Sequence, residues 1–228
     1  MSAPAAVVFD FDGVLADTER LHLAAFQDVF RARGWQLDEA AYFNRYLGFE
    51  DRDLVRAFAI DARIVLDPDD EARLVEAKAR AYDARLGERS VLFPGAAEAV
   101  SRLQPHYRLG VASGSRHAEI EVVLGAAGLV PAFTAIVAAD DVTRSKPAPD
   151  VYQEAVRRLG VPAARAVAVE DSRWGLAAAR AAGLRTIGLT TSYPAPTLAT
   201  ADLVVASLDA VTVEAVAALL DDSMDSIC

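Results

Sequence analysis

Short apolar runs alternate with helix-length segments through the second half of the chain, and no other feature limits the possible folds as much. Leu109–Ser113, Ala135–Ala138, Ala166–Glu170, Thr186–Leu189 and Leu203–Val205 read as strands. Helical segments lie between and after them. One runs through Ile120, Val123 and Leu124, and another follows Pro149-Asp150. A third spans about Trp174 to Ala182 and is closed by Gly183, and a last covers about Val211 to Leu220. Strands separated in this way need crossover connections, which predicts a parallel sheet with helices on both faces. The apolar run Val7 to Asp10 supplies the first strand of the same sheet. The expected class is α/β, a doubly wound, Rossmann-like parallel sheet.

The stretch from about residue 18 to 88 breaks this rhythm and reads as all-helical. Asp17-Thr18 can cap a helix that Gly34 ends, with His22, Phe26, Val29 and Phe30 at helical spacing. Asp38 starts a short helix through Tyr42 and Tyr46, Gly48 breaks it, and Asp51 starts a third. Asp67-Pro68 opens a longer helix that runs to Leu86 and stops at Gly87, with Val75, Ala79, Tyr82 and Leu86 as its apolar stripe. The predicted organisation is therefore a core of residues 1–16 and 91–228 carrying a helical insertion at 17–90. The joints fall at Asp17-Thr18 and Gly87 to Phe93, where a movable cap would hinge, and Asp221 to Cys228 reads as a tail.

Charge and composition narrow the function. A net charge of −10 argues against a nucleic-acid or anionic-membrane partner. The only cysteine, Cys228, leaves no intrachain disulfide and no cysteine metal site. No signal peptide and no membrane-length apolar run is evident, so a cytoplasmic protein is expected. A monomer acting on a small molecule is the expected state.

Polar groups collect at the carboxyl ends of the predicted strands, where open parallel sheets place their sites. Asp10 and Asp12 follow the first strand, Ser113 ends the next, Lys146 follows the third, and Glu170-Asp171 end the fourth. Carboxylates brought this close repel unless a cation or a proton lies between them, which points to a divalent metal. Asp10 can attack phosphorus, and Asp12 can protonate a leaving oxygen and then activate water. Asp10, Asp171 and Glu170 offer hard oxygen ligands that suit Mg2+. Ser113, with backbone N–H groups of the Gly114-Ser115 turn, can hold phosphate oxygens, and Lys146 can balance charge on the nucleophile and the transferring group. Among the other polar and aromatic residues, Trp174 is expected in the core and His106 in a loop.

The segments DFDGVLADT, the apolar run into Ser113, SKPAPD and VEDS-x-x-G match, in order, the four motifs of the haloacid dehalogenase (HAD) superfamily. The chain resembles its phosphatase and β-phosphoglucomutase-like branch, with a helical cap after the first motif. The resemblance implies Asp10 as nucleophile, Asp12 as acid/base, and Ser113 and Lys146 as phosphate holders. It implies metal ligation by Asp10, the Asp12 carbonyl and Asp171, with Glu170 near or in the shell. It also implies substrate contacts from His22, Gly48, Arg52 and Lys78 of the cap and from Gly114, Ser115 and Arg116 of the core. The mutases carry an arginine three residues after the cap glycine; here Asp51 stands there and Arg52 follows. The expected activity is a Mg2+-dependent phosphatase acting on a small phosphorylated metabolite, a sugar or polyol phosphate, through an aspartyl-phosphate. The alternative is a hexose-phosphate mutase. A metal-free dehalogenase fits poorly with Asp12 and Glu170-Asp171, and a phospho-acceptor signalling domain with the helical insertion.

Overall fold

The computed structural model describes residues 4–47, 49, 51–86 and 91–221. The chain divides into two compact units, Met1–Asp17 with Ser90–Cys228, and Thr18–Arg89. Along the chain, β1 (Ala6–Phe9) is followed by the helices of the second unit: α1 (Glu19–Arg31), α2 (Glu39–Ala41), α3 (Asp51–Asp61) and α4 (Pro68–Leu86). The first unit then resumes with α5 (Ala96–Leu103), β2 (Arg108–Ala112), α6 (His117–Ala126), β3 (Ala135–Val137) and α7 (Asp150–Leu159). It closes with β4 (Ala166–Glu170), α8 (Arg173–Ala181), β5 (Arg185–Leu189), β6 (Leu203–Val205) and α9 (Val213–Asp221).

The six strands form one parallel sheet in the order β3-β2-β1-β4-β5-β6. β1 lies between β2 and β4, with Phe9 in register with Val111 on one side and Val169 on the other. The order reverses at β1, so the crevice at its carboxyl end is the place where such sheets bind ligands. Every residue of β1 is fully buried. Both faces are covered, which is why the run is continuously apolar rather than alternating. On one face Val8, Ala112, Val137, Ala168, Val151, Tyr152, Ala155 and Leu159 form a single apolar cluster. Burying a large apolar side chain contributes about 1.5–3 kcal/mol, so this cluster holds the strand ends in a fixed frame.

The structure corrects the sequence reading at several points. α5 has no counterpart among the expected helices, although Ala96, Ala99, Val100 and Leu103 have helical spacing and are its buried face. Trp174 is not in the core: it is 46% exposed, with the Arg173 guanidinium 4.4 Å from its ring centroid. The arginine covers the ring face without removing it from water.

The second unit has a core of its own, in which Leu23, Phe26, Phe30, Tyr42, Leu54, Phe58 and Leu74 pack together. Phe30 and Phe58 stack at 4.2 Å. It contains no strand among the described residues. Asp38 caps α2 through the Ala41 N–H at 3.0 Å, as its position suggested, but the chain then widens into a π-helical turn over Tyr42–Tyr46. The buried stripe of α4 is Leu74, Lys78, Tyr82 and Leu86 rather than the line through Val75 and Ala79. The two lines are neighbours on the helix, and the deeper one includes a lysine, which a purely apolar reading passes over. Gly48, Gly87 to Ser90 and the tail beyond Asp221 lie outside the described residues.

Candidate active site

In the first unit, the strand ends bring together the groups that the sequence scatters over some 160 residues. Asp10 follows β1 directly; its N–H continues the ladder to Val169 O at 2.9 Å, so its side chain leaves from a rigid point. Its Oδ1 accepts from the Phe11 N–H at 2.7 Å and from Lys146 Nζ at 2.8 Å. Lys146 comes from the segment between β3 and α7 and also reaches Glu170 Oε1, at 2.6 Å. One ammonium thus bridges the ends of β1 and β4.

Glu170 is fully buried and well supplied with donors. Besides Lys146, its Oε1 accepts from the Tyr152 hydroxyl at 2.8 Å, and its Oε2 from Ser172 N at 3.2 Å and Ser172 Oγ at 3.1 Å. Asp171 is buried beside it, and Ser192 bonds its carboxylate. Carboxylate oxygens of Asp10, Glu170 and Asp171 lie within 4.8 Å of one another. Burial, then the charge of Glu170, raises Asp10 to about 8, with Lys146 pulling the other way. Burial, then Glu170 and Asp10, pushes Asp171 well above the usual carboxylate range. Burial pulls the Lys146 ammonium down, but Asp10 and Glu170 outweigh it and hold its pKa above the ordinary lysine value. Three carboxylates face one ammonium here, and the oxygens of Asp10 and Asp171, with Glu170 beside them, fit a divalent cation such as Mg2+.

Asp12 turns the other way. Its Oδ2 accepts from Ser113 Oγ at 3.4 Å and from the Ser115 hydroxyl. Ser113, at the end of β2, is fixed by its own N–H on Val137 O at 2.9 Å. The Ser115 N–H donates to Ser113 Oγ at 2.9 Å, so this amide is directed back into the turn. Ser113 does not cap the following helix, whose N-cap is Arg116. Arg116 itself is exposed and reaches Glu119 at 2.6 Å. Gly114 is exposed at the turn.

Two glycines explain themselves in this arrangement. Gly13 has φ +77°, and a Cβ there would overlap the Asp171 carboxylate and come within 2.8 Å of Ser192 Oγ. A Cβ on Gly175 would overlap the Glu170 carboxylate. Tyr152, Ser172 and Ser192 escaped the sequence reading. Ser172 was readable as the N-cap of α8, where it accepts from Gly175 N at 3.0 Å. Tyr152 could have been found as the one hydroxyl-bearing residue on the buried face of α7.

In the second unit, Lys78 Nζ donates to both oxygens of Asp51, at 2.7 and 2.8 Å, and lies 2.6 Å from His22 Nδ1. It also sits 5.1 Å from the ring centroids of Phe26 and Tyr82. Burial and then the Lys78 charge push His22 down to about 3, so its ring is neutral and Nδ1 accepts. Arg52, next along, points to Glu71 instead, at 3.2 Å. His22 and Lys78 therefore come together, and Arg52 stands apart from them.

A profile of the haloacid dehalogenase-like hydrolases matches residues 7–189. The chain belongs to this family. It is 37% identical to protein CbbY of Rhodobacter capsulatus over 202 residues, covering 82% of this chain and 86% of that protein. It is 33% identical over 180 residues to the fructose-1-phosphate phosphatase YqaB of Escherichia coli K12, covering 79% and 93%. The crystal structure of CbbY from Rhodobacter sphaeroides in complex with xylulose-(1,5)bisphosphate aligns with a TM-score of 0.75 at 33% identity, over 90% of this chain and 95% of that one. A β-phosphoglucomutase from Clostridium difficile aligns with a TM-score of 0.80 at 22% identity, over 97% and 99%, a likeness of fold. These relatives agree with the resemblance read from the four motifs and with its phosphatase branch. No helix among the described residues is long and apolar enough to cross a membrane.

Proposed function

We propose that the protein is a Mg2+-dependent phosphatase that hydrolyses a small sugar or polyol phosphate through an aspartyl-phosphate on Asp10. The reading rests above all on the bridge made by Lys146 between Asp10 and Glu170, which gathers nucleophile, cation and acids at one strand edge. In the first step an Asp10 carboxylate oxygen bonds to phosphorus and the bond from phosphorus to the alcohol oxygen breaks. Asp12 gives its proton to the departing alkoxide. In the second step Asp12 takes a proton from water, the water oxygen bonds to phosphorus, and the bond from Asp10 to phosphorus breaks. Asp10 is restored and inorganic phosphate leaves. The hydroxyls of Ser113 and Ser115 hold Asp12 in reach of both oxygens, while Lys146 offsets charge on Asp10 and on the phosphoryl group. Asp10 and Asp171, with Glu170 beside them, would hold Mg2+, whose chemistry is to neutralise the phosphoryl oxygens and the acids together. The sugar-phosphate class is supported by the relatives, one a fructose-1-phosphate phosphatase and one crystallised with xylulose-(1,5)bisphosphate.

Hydrolysis is preferred to the mutase reading because Asp51 stands where the mutases carry an arginine. Its carboxylate also takes up the charge of Lys78. The test is phosphate release across a panel of phosphorylated sugars and polyols, with and without Mg2+, run beside a coupled assay for conversion of β-glucose 1-phosphate to glucose 6-phosphate. Phosphate release that needs Mg2+ and disappears in Asp10→Asn is the expected result. Undiminished turnover in that variant, or glucose 6-phosphate as the only product, overturns the proposal.

A further inference from the structure

Tyr152 lies on α7, fully buried in the apolar cluster that includes Val151, Ala155 and Leu159. Burying its hydroxyl is unfavourable unless the group is bonded, and its acceptor is Glu170 Oε1 at 2.8 Å. The same ring carries the Lys146 ammonium 5.1 Å from its centroid. Tyr152 therefore touches both partners of one end of the bridge, the carboxylate with its hydroxyl and the ammonium with its ring.

Two bonds compete for that ammonium. Glu170 at 2.6 Å draws it one way and Asp10 at 2.8 Å the other. Each oxygen of Glu170 accepts two donors, so its acceptor sites are filled by Lys146, Tyr152 and the amide and hydroxyl of Ser172. Withdrawing the tyrosine donor leaves a buried carboxylate oxygen with one donor, and the mobile partner able to compensate is Lys146. We propose that Tyr152 is a positioning residue, which by filling Glu170 keeps Lys146 shared with Asp10. It touches none of the reacting atoms. The inference rests on the phosphatase reading for its consequence in rate, but not for its consequence in geometry.

The test uses the full chain as Tyr152→Phe, Glu170→Gln and the double variant, with p-nitrophenyl phosphate and Mg2+, and Tyr107→Phe as a control. Tyr107 loses only a bond to Val213 O at 3.0 Å and should leave the rate unchanged. Tyr152→Phe should lower kcat about tenfold with KM within about twofold, as expected for a lost bond to a charged group. In the Glu170→Gln background the same change should alter kcat less than about twofold, because the residue acts through Glu170. An equal loss in both backgrounds means a packing role and overturns the proposal. Crystal structures of wild type and Tyr152→Phe give a second reading that needs no turnover. Lys146 Nζ should leave hydrogen-bond distance of Asp10 while the backbone stays in place. An ammonium that still bridges both carboxylates refutes the inference even if the wild-type protein hydrolyses none of the esters tried.

Discussion

Gly175→Ala should be among the most damaging single-methyl additions in the chain, against the rule for helices. Gly175 is the third residue of α8, where alanine would ordinarily stabilise by about 1 kcal/mol. Here the new Cβ would overlap Oε1, Cδ and Oε2 of Glu170 at once. The carboxylate has nowhere cheap to go, because it is fully buried and held by Lys146, Tyr152 and Ser172. Displacing it separates a buried ion pair, which costs about 3–5 kcal/mol, and overpacking adds about 1–3 kcal/mol. Partial relaxation and the helix gain offset some of this, leaving a net loss of about 4 kcal/mol. At about 2–4 °C per kcal/mol for a chain of this size, the melting temperature should fall by about 8–16 °C. Urea unfolding followed by circular dichroism measures the loss directly. Gly125, a helical glycine in α6 with nothing within 4 Å of a built Cβ, is the control. Gly125→Ala should stabilise by about 0.5–1 kcal/mol. The sharper check is the Glu170→Ala background, where the obstacle is gone and Gly175→Ala should turn mildly stabilising. A loss under about 1 kcal/mol in wild type, or the same loss in both backgrounds, would refute this reasoning.

Three further outcomes are expected. Mg2+ should raise the melting temperature, since it relieves repulsion among Asp10, Glu170 and Asp171. At about a hundredfold over its dissociation constant the gain is about 2.7 kcal/mol, and calorimetry of Asp171→Asn should show most of it lost. Below pH 6.5 the unfolded chain protonates His22 while the folded second unit resists until about pH 3. Stability present above pH 6.5 is therefore lost as pH falls toward 3, by up to about 1.4 kcal/mol per unit, and His22→Gln should flatten that part of the profile in denaturant titrations. Lys78→Met strands Asp51 and should cost about 3 kcal/mol, whereas Lys78→Met with Asp51→Asn should cost less, a coupling that unfolding experiments can read.

The sheet was legible because a parallel strand buried on both faces is written as a continuous apolar run. Ala166–Glu170, buried at every residue, was read to the residue for that reason. The acids were legible because the carboxyl ends of parallel strands point the same way, so Asp10, Ser113 and Glu170 could be expected together without knowing the strand order. What the sequence hid were interactions whose signal lies in two places at once. Lys78 is expected as a substrate contact, and neither position shows in the sequence that Asp51, 27 residues earlier, holds its ammonium. Tyr152 has its acceptor in Glu170, 18 residues later, and nothing at either position ties the two together. Trp174 reads as core by its size, yet the neighbouring arginine lets it lie at the surface.

The glycines carry this argument further, because each belongs to one motif and is explained by another group's position. Gly13 follows the first acid pair, but the atoms that exclude a side chain there belong to Asp171 and Ser192, far along the chain from it. Gly175 closes the motif that contains Glu170, and what it admits is that same glutamate folded back over the start of α8. The first and last motifs therefore constrain each other through contact: backbone without side chains lets three carboxylates approach to within 4.8 Å. A side chain at either glycine would open the acid cluster from one side while leaving every acid present. If close approach is what the chemistry requires, Gly13→Ala should lower Mg2+ affinity in calorimetric titration, although it removes no carboxylate. Unchanged affinity would mean that the acids act singly and that their crowding is incidental.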